Sequence, residues 1–198
     1  MACLRKCSLP MPLWPLLWVL LLLGGCASTA VEPLQKRAAE AAQSPFAFNG
    51  RVAVKYAAER SSVNVRWTHR GVEDDILLLG PLGRTVARIR GDAQGVELQT
   101  SSGSSMAHNA EALTEQVLGW PLPMSGMRYW VLGLPAPEGL VNIERTANGQ
   151  VGVIHQSGWE IRYSRYALES ADSLPLRMTL QRNGMEIQLI IDEWEKQP

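Results

Sequence analysis

The chain has 198 residues, of which 46% are apolar and 19% are charged, and this composition excludes a disordered protein. The first 25 residues hold two basic and no acidic side chains, so residues 26–198 carry 17 basic against 19 acidic ones. A weakly acidic domain lacks the basic surface that binds phosphate backbones, which excludes a nucleic-acid-binding protein.

Residues 1–25 are predicted to be a lipoprotein signal peptide. Arg5 and Lys6 precede an apolar run at 13–23, which has the length of a signal-peptide core and is short for a membrane span. The run ends in Leu-Gly-Gly-Cys, and these residues resemble the bacterial lipobox. In that motif the cysteine, here Cys26, receives a diacylglycerol on its sulfur and a third acyl chain on its freed amine. The alternative is an ordinary signal peptide that has a cysteine near its end.

Cys26 is the only cysteine after position 25, which excludes a disulfide or a thiolate metal site within the domain. Ala27 follows it, and by resemblance to the bacterial sorting rule this residue favours the outer membrane over the inner one. We therefore expect a protein anchored by its lipid to the periplasmic face of the cell outer membrane. The small and polar residues of 26–45 are interpreted as the lipidated cysteine and its tether, and 46–198 as one folded domain.

The first half of the domain predicts antiparallel strands. Apolar and polar residues alternate over 46–56, which is the period of a half-buried strand, and a second strand is predicted at 63–68. The turn-forming Gly80-Pro81-Leu82-Gly83 separates strands at 75–79 and 85–90. A fifth strand at 96–100 leads into a serine-rich stretch at 101–105, which is expected to be a flexible connection.

A short helical insert follows these strands. Apolar residues fall at helical spacing over 110–118, after a predicted Asn109 cap and before Gly119, which ends the helix. A second short helix is predicted with Ser125 as its cap and with its end before Gly133.

The strand pattern returns after the insert. Asn148-Gly149 and Asn183-Gly184 predict hairpin turns whose residues take positive φ, and alternating segments at 158–166, 174–180 and 185–191 predict strands. The predicted fold class is therefore mainly β with a small α insert. A large antiparallel sheet with these helices in its middle suggests a curved sheet or an incomplete antiparallel β-barrel, with the short helices covering its mouth.

Catalytic and metal-binding motifs are absent from the sequence. Nucleophile elbows, zinc-protease motifs and phosphate-binding glycine loops are not found. His69, His108 and His155 have no carboxylate partner at a telling spacing, and the Glu73-Asp74-Asp75 run is interpreted as a solvated strand entrance. We expect neither an enzyme nor a metal site.

Several segments together resemble one family. They are Pro81-Leu82-Gly83-x-Thr85, the Leu-Gly-Trp-Pro-Leu-Pro of 118–123, the Tyr-Trp-Val-Leu-Gly-Leu-Pro of 129–135, the Gln-Ser-Gly-Trp-Glu-Ile-x-Tyr of 156–163, and the Ile-Asp-Glu-Trp of 191–194. In this order, and behind a matching lipobox, they resemble the LolB family of outer-membrane lipoprotein receptors. The resemblance covers roughly residues 46–194.

The resemblance implies a function for the predicted half-barrel. A LolB-like protein accepts lipoprotein cargo from the periplasmic carrier LolA and inserts it into the outer membrane, holding the acyl chains in an apolar cavity. The resemblance implies a monomer whose partners are LolA, the cargo and outer-membrane lipid. It implies no cofactor apart from the covalent diacylglycerol and N-acyl chain on Cys26.

Ten side chains of the domain are candidates for the functional site. The inward faces of the strands and one residue of the insert are predicted to line the acyl cavity: Phe46, Phe48, Val52, Val54, Trp67, Trp130, Trp159, Ile161 and Met178. The resemblance implies that Leu82 is a protruding loop residue that helps to deliver cargo into the bilayer. On the residues alone, a Leu82 that folds back onto the core is an equal alternative.

Two other functions compete with the receptor. A structural or assembly lipoprotein of the outer membrane would have the same sheet with a filled β core. A lipid-modifying hydrolase would need a nucleophile and a base, and the sequence offers no such pair.

Overall fold

A computed structural model of the protein describes residue 40 and residues 44–195. The predicted signal peptide, Cys26 and most of the predicted tether lie outside these residues. Eleven strands form one sheet within the described range. Their bounds are β1 Phe46–Tyr56, β2 Glu59–Arg70, β3 Glu73–Leu79, β4 Thr85–Gly91, β5 Val96–Thr100, β6 Gly103–Ala107, β7 Val141–Arg145, β8 Val151–Gln156, β9 Trp159–Tyr166, β10 Pro175–Arg182 and β11 Met185–Trp194. The helices are α1 Ala110–Leu118 and α2 Met124–Trp130, and a single 3-10 turn spans Pro81–Gly83.

The sheet is an open antiparallel meander that is joined at its centre. Its spatial order is β6-β5-β4-β3-β2-β1-β11-β10-β9-β8-β7. The first strand pairs with the last, so β6 and β7 become the two edges among the described residues. Both helices lie between these edge strands in the chain. The predicted fold class, mainly β with few helices, is confirmed.

The core lies between one face of the sheet and the two helices. Every second residue is buried in β1, from Phe46 to Val54, and in β11, from Met185 to Ile191. The residues between them are half-buried or exposed. Leu113 of α1 and Met127 of α2 belong to the same apolar cluster. The period-two pattern of the sequence thus marks the face that the helices cover.

The helix caps show where local sequence set the boundaries. The Asn109 side chain accepts hydrogen bonds from the backbone N–H groups of Glu111 and Ala112, at 2.8 and 3.3 Å, and Gly119 ends α1 in the left-handed region, as predicted. The predicted Ser125 cap is wrong. Pro123 occupies the cap position and the helix begins one residue before Ser125, because the rigid proline already directs the chain into the first turn.

Three connections differ from the sequence prediction. The stretch at 101–105 is not a loop, since Gly103–Ala107 forms edge strand β6, whose polar, exposed side chains give no alternation to detect. The edge strand β7 was not predicted. The Asn183-Gly184 turn has positive φ at both residues, as expected, whereas in the Asn148-Gly149 connection only the glycine does. That connection is a longer loop, closed by hydrogen bonds between Thr146 and Gln150.

Candidate functional site

The nine residues predicted to line a cavity come together in one apolar cluster. Each has at most 6% of its surface exposed. They derive from β1, β2, β9, β10 and α2, so sequence-distant segments meet on a single face. Their location as a group agrees with the predicted inward faces.

Aromatic rings fill one end of this face. Phe48 lies opposite Trp67 in the β1–β2 ladder, with ring centroids 5.9 Å apart, and Trp194 of β11 stands 5.3 Å from the Phe48 ring in an edge-on arrangement. Phe46 packs edge-on against Trp67, with ring centroids 5.5 Å apart. Such pairs add stabilisation beyond area burial, so ring contacts contribute to the stability of this end of the core.

Helix α2 occupies the rest of the face. Met124, Met127 and Trp130 are buried against the sheet. Gly126 allows the Trp130 ring to fold back over the helix, since a Cβ at this position would lie 2.4 Å from two of the ring carbons. In this conformation the helix side chains therefore occupy the space that an acyl chain would need.

A small cleft opens between α2 and β9. It has a volume of about 260 Å³ and is lined in part by Trp130 and Trp159, whose rings lie 6.3 Å apart. The guanidinium of Arg182 stands 5.3 Å from the Trp159 ring and 3.9 Å from Glu111 of α1. Pockets for drug-sized ligands begin at about 300 Å³, so this cleft takes a long acyl chain only if the helices move. A larger and more open cleft of about 910 Å³ lies on the other side of Trp159 and is lined in part by Leu140.

A buried charge cluster connects α2 to the sheet. The fully buried Asp74 carboxylate accepts a hydrogen bond from Trp67 Nε1 at 2.8 Å, and the same oxygen lies 2.8 Å from His69 Nδ1. Arg128 of α2 brings its guanidinium to 2.6 Å from the other oxygen, Oδ2. The Asp74 carboxylate is fully buried and the Arg128 side chain is 28% exposed, so the ion pair lies where charges are costly to bury.

The sequence interpretation of this cluster was wrong. Asp74 is buried rather than solvated, and His69 has a carboxylate partner. The pair could have been found from the β2–β3 hairpin, because His69 and Asp74 are symmetric about the Gly71-Val72 turn and face each other in the ladder. The Arg128 contact spans 54 positions of the chain and has no such local indication.

Neutral hydrogen bonds fix the end of α2 and the segment after it. The buried Gln156 side chain accepts from Trp130 Nε1 at 3.0 Å and from the Ala136 N–H at 2.8 Å, and donates to the carbonyls of Ala136 and Glu138. Tyr163 donates its hydroxyl proton to the Trp130 carbonyl at 2.7 Å. Burial raises the pKa of Tyr163 well above its ordinary value. Helix α2 thus has a fully hydrogen-bonded C-terminal end and a single charged contact at Arg128.

Leu82 projects from the β3–β4 connection. Its side chain is 99% exposed, and its φ of 67° places it in a region that non-glycine residues rarely adopt. The loop is closed by hydrogen bonds from the Gly80 N–H to the Arg84 carbonyl and from the Gly83 N–H to the Gly80 carbonyl, at 2.9 and 3.2 Å. The alternative in which Leu82 folds back onto the core does not describe this loop.

Within the described residues, no group of three or more His, Cys, Asp or Glu side chains is arranged to hold a metal ion. Across the same residues, every helix is too short or too polar to cross a bilayer. Cys26 lies outside this range.

Comparison with known proteins identifies close relatives. A family model described as outer membrane lipoprotein LolB matches residues 44–194. An outer-membrane lipoprotein LolB from Nitrosomonas europaea is 38% identical over 192 residues, covering 90% of each chain. One from Chromobacterium violaceum is 35% identical over 180 residues, covering 91% of this chain and 97% of the relative. A crystal structure of a LolA-superfamily protein from Nitrosomonas europaea shares the fold, with a TM-score of 0.51, 9% identity, and coverage of 86% of this chain and 95% of that one.

Proposed function

The chain belongs to the LolB family of outer-membrane lipoproteins, and from this membership we propose that it accepts lipoproteins from the periplasmic carrier LolA and inserts them into the outer membrane. The observation that carries the proposal is the family match over 44–194, a range that includes every described strand and both helices. A member of this family is a receptor in lipoprotein sorting and not an enzyme.

The apolar face under α2 supports the proposed handling of acyl chains. A lipoprotein cannot cross water with its chains uncovered, because each exposed methylene costs about 0.8 kcal/mol. The nine core residues provide an apolar surface of the required kind, with the two tryptophans of the 260 Å³ cleft at its opening. We assign these residues as the acyl-binding surface.

Access to that surface requires α2, which we call the lid helix, to move. Its Met124 and Met127 side chains cover the face, so they must leave before a chain enters. The hydrogen bonds of Gln156 and Tyr163 to Trp130 support a motion in which the C-terminal end of the lid helix stays in place. The Arg128–Asp74 ion pair is then the contact that breaks when the lid helix moves.

The proposed transfer uses no cofactor. Proteins of this family work without one, and the lipid on Cys26 is the only attached group that we propose. With no nucleotide to supply energy, cargo must move to progressively more favourable apolar environments, from the carrier to the receptor and then to the bilayer.

A structural lipoprotein with a filled β core is the second candidate, because the lid helix does fill the face in this conformation. A fluorescent fatty-acyl probe distinguishes the two functions. The receptor should bind the probe saturably at one site per chain, and unlabelled fatty acid should displace it. A permanently filled core would leave probe fluorescence unchanged at all protein concentrations.

The anchor and the domain limits belong to the same proposal. We propose that 1–25 are removed, that Cys26 is triacylated, that 26–45 tether the 46–198 domain, and that the lipid holds the protein on the periplasmic face. A Cys26→Ala protein, exported with a cleavable signal, should be soluble in the periplasm and should bind the acyl probe as the wild type does. Mass spectrometry of the mature wild-type protein should show a triacylated N-terminal cysteine, and an unmodified one would contradict the anchor.

A further inference from the structure

Two leucines are the most exposed large apolar residues of the described chain. Leu82 is 99% exposed and Leu140 is 95% exposed. Other exposed apolar side chains, such as Leu168 at 70%, are less so. Leu82 has a proposed role at the membrane, while Leu140 has none.

Both leucines lie at the same end of the sheet. Leu82 is in the connection after β3, and Leu140 immediately precedes Val141, which pairs with Gln156 beside the β8–β9 turn. The paired strands that lie between the two leucines also end here, since Lys55 near the end of β1 pairs with Glu186 near the start of β11. We define the turn end of the sheet as the connections at 57–58, 80–84, 101–102, 139–140, 157–158 and 183–184. Leu168, in the β9–β10 connection, is at the opposite end.

Hydrogen bonds hold Leu140 in its exposed position. Gln156 Nε2 donates to the Glu138 carbonyl at 2.9 Å, which ties down the chain two residues before Leu140. Gly139 turns the chain with a φ of 88°, and Val141 then enters the β7 strand. The backbone on both sides is therefore fixed, so the exposed Leu140 side chain keeps its place at this end of the sheet.

We infer that the turn end docks on the lipid bilayer through two apolar points, Leu82 and Leu140. This inference rests on the proposed function and specifies how the receptor faces the membrane into which it delivers cargo. A single leucine tip would leave the domain free to pivot in every direction, whereas two tips on different strand connections restrict it to rotation about the line that joins them. Each buried leucine shifts the docking equilibrium on the order of 30-fold.

Charge at the turn end is compatible with a bilayer as the occupant and does not select anionic lipid. Within two residues of its turns, basic and acidic side chains are equal in number: Lys55, Arg60, Arg84 and Arg182 against Glu59, Glu138, Glu160 and Glu186. A balanced rim neither repels a phospholipid surface nor needs an anionic one, so docking should change little with salt. The kind of partner that fits is a zwitterionic or mixed phospholipid surface.

The length of the tether is compatible with this orientation. β1 begins at Phe46, at the end opposite the turn end, and its 11 residues span about 36 Å. The 19 residues between Cys26 and Phe46 reach about 65 Å when fully extended. The lipid on Cys26 can therefore sit in the same bilayer that the turn end contacts. A tether shortened to fewer than about 10 residues should prevent docking.

Site-specific fluorescence on the mature lipidated protein tests the inference. Leu82→Cys, Leu140→Cys and the matched control Leu168→Cys each add one free thiol, because Cys26 is blocked by its lipid. Each thiol is labelled with an environment-sensitive dye, and the protein is reconstituted in phosphatidylethanolamine and phosphatidylglycerol vesicles that contain a nitroxide lipid. We expect strong quenching at positions 82 and 140 and none at 168. Leu140→Glu should lower the ratio of docked to undocked protein, measured by the quenching at position 82, on the order of 30-fold.

Quenching needs no cargo, so its outcome is independent of whether the protein accepts acyl chains. A dye at position 140 that behaves like the dye at 168 overturns the two-point contact, and equal quenching at all three positions overturns the orientation. Leu140→Glu is also assayed for acceptance of cargo from LolA. If this variant loses acceptance and keeps the quenching at 82, Leu140 is a protein contact and the inference is wrong.

Discussion

Removing the charge of Arg128 should open the lid helix. Arg128→Met keeps most of the apolar stem and leaves Asp74 buried, with its Oδ2 facing the vacated site. In the open state the carboxylate becomes hydrated, so the substitution destabilises the closed state selectively.

The structure sets the size of this effect. At 2.6 Å and an effective dielectric constant of about 20, the attraction between Arg128 and Asp74 is about 6 kcal/mol before desolvation is subtracted. Breaking a buried pair by removing one partner costs about 3–5 kcal/mol, and the 28% exposure of the Arg128 side chain favours the lower limit. A loss of about 3 kcal/mol raises the open fraction, and with it the apparent acyl affinity, by up to about 100-fold.

Two measurements check this prediction. Hydrogen exchange of the α2 amides should accelerate in Arg128→Met, and titration with the fluorescent acyl probe should show tighter binding. Asp74→Asn combined with Arg128→Met removes both charges and should return both readouts close to wild type, since a neutral pair leaves no unpaired charge. Arg51→Met breaks an exposed ion pair with Asp192 and should change neither readout.

Wild-type exchange of the α2 amides in a folded Arg128→Met protein would contradict release of the lid helix. A double variant that is as open as the single one would also contradict it, because the effect would then come from lost packing rather than from the buried charge.

Ile161→Asp, which places a charge on the proposed acyl-binding surface, should abolish probe binding because a desolvated carboxylate costs several kcal/mol; circular dichroism must show a folded protein, and a folded variant with wild-type affinity would remove Ile161 from the surface. Leu82→Glu should leave acceptance from LolA intact and block insertion into liposomes, so that cargo accumulates on the receptor, whereas Leu168→Glu should insert normally; wild-type insertion by Leu82→Glu would exclude a delivery role. Burial raises the pKa of Tyr163 well above 10 and that of Tyr166 to about 12. The unfolded chain therefore loses these protons first as the pH rises through 10, and the free energy of unfolding should fall between pH 10 and 12. Urea unfolding across that range should show a shallower fall when both tyrosines are replaced by phenylalanine, and an unchanged slope would assign the loss of stability to other groups.

The sequence revealed those elements whose side chains alternate between core and solvent. β1 and β11 were predicted with nearly correct bounds because one face of each is buried. β6 was missed because it pairs at an edge with all its side chains exposed or nearly so. A polar edge strand is fixed by its backbone hydrogen bonds, and these carry no sequence pattern.

The candidate site was predictable to a similar extent. Burial of the nine core residues follows from the same alternation and from the family resemblance. The Arg128–Asp74 contact depends on where a helix lies on a sheet, which local patterns do not encode. The exposure of Leu82 was undecided because a leucine in a turn has equal reason to pack inward, and its left-handed backbone, which turns the side chain outward, became visible only in the structure.

Transfer of a radiolabelled lipoprotein tests the central claim most directly. Purified LolA loaded with labelled cargo is mixed with the full mature protein, and the label is followed by immunoprecipitation of each protein, first without and then with liposomes. The account predicts that the label moves from LolA to this protein without any nucleotide and then to the liposomes. Label that stays on LolA under both conditions, with the receptor shown to be folded, would contradict it.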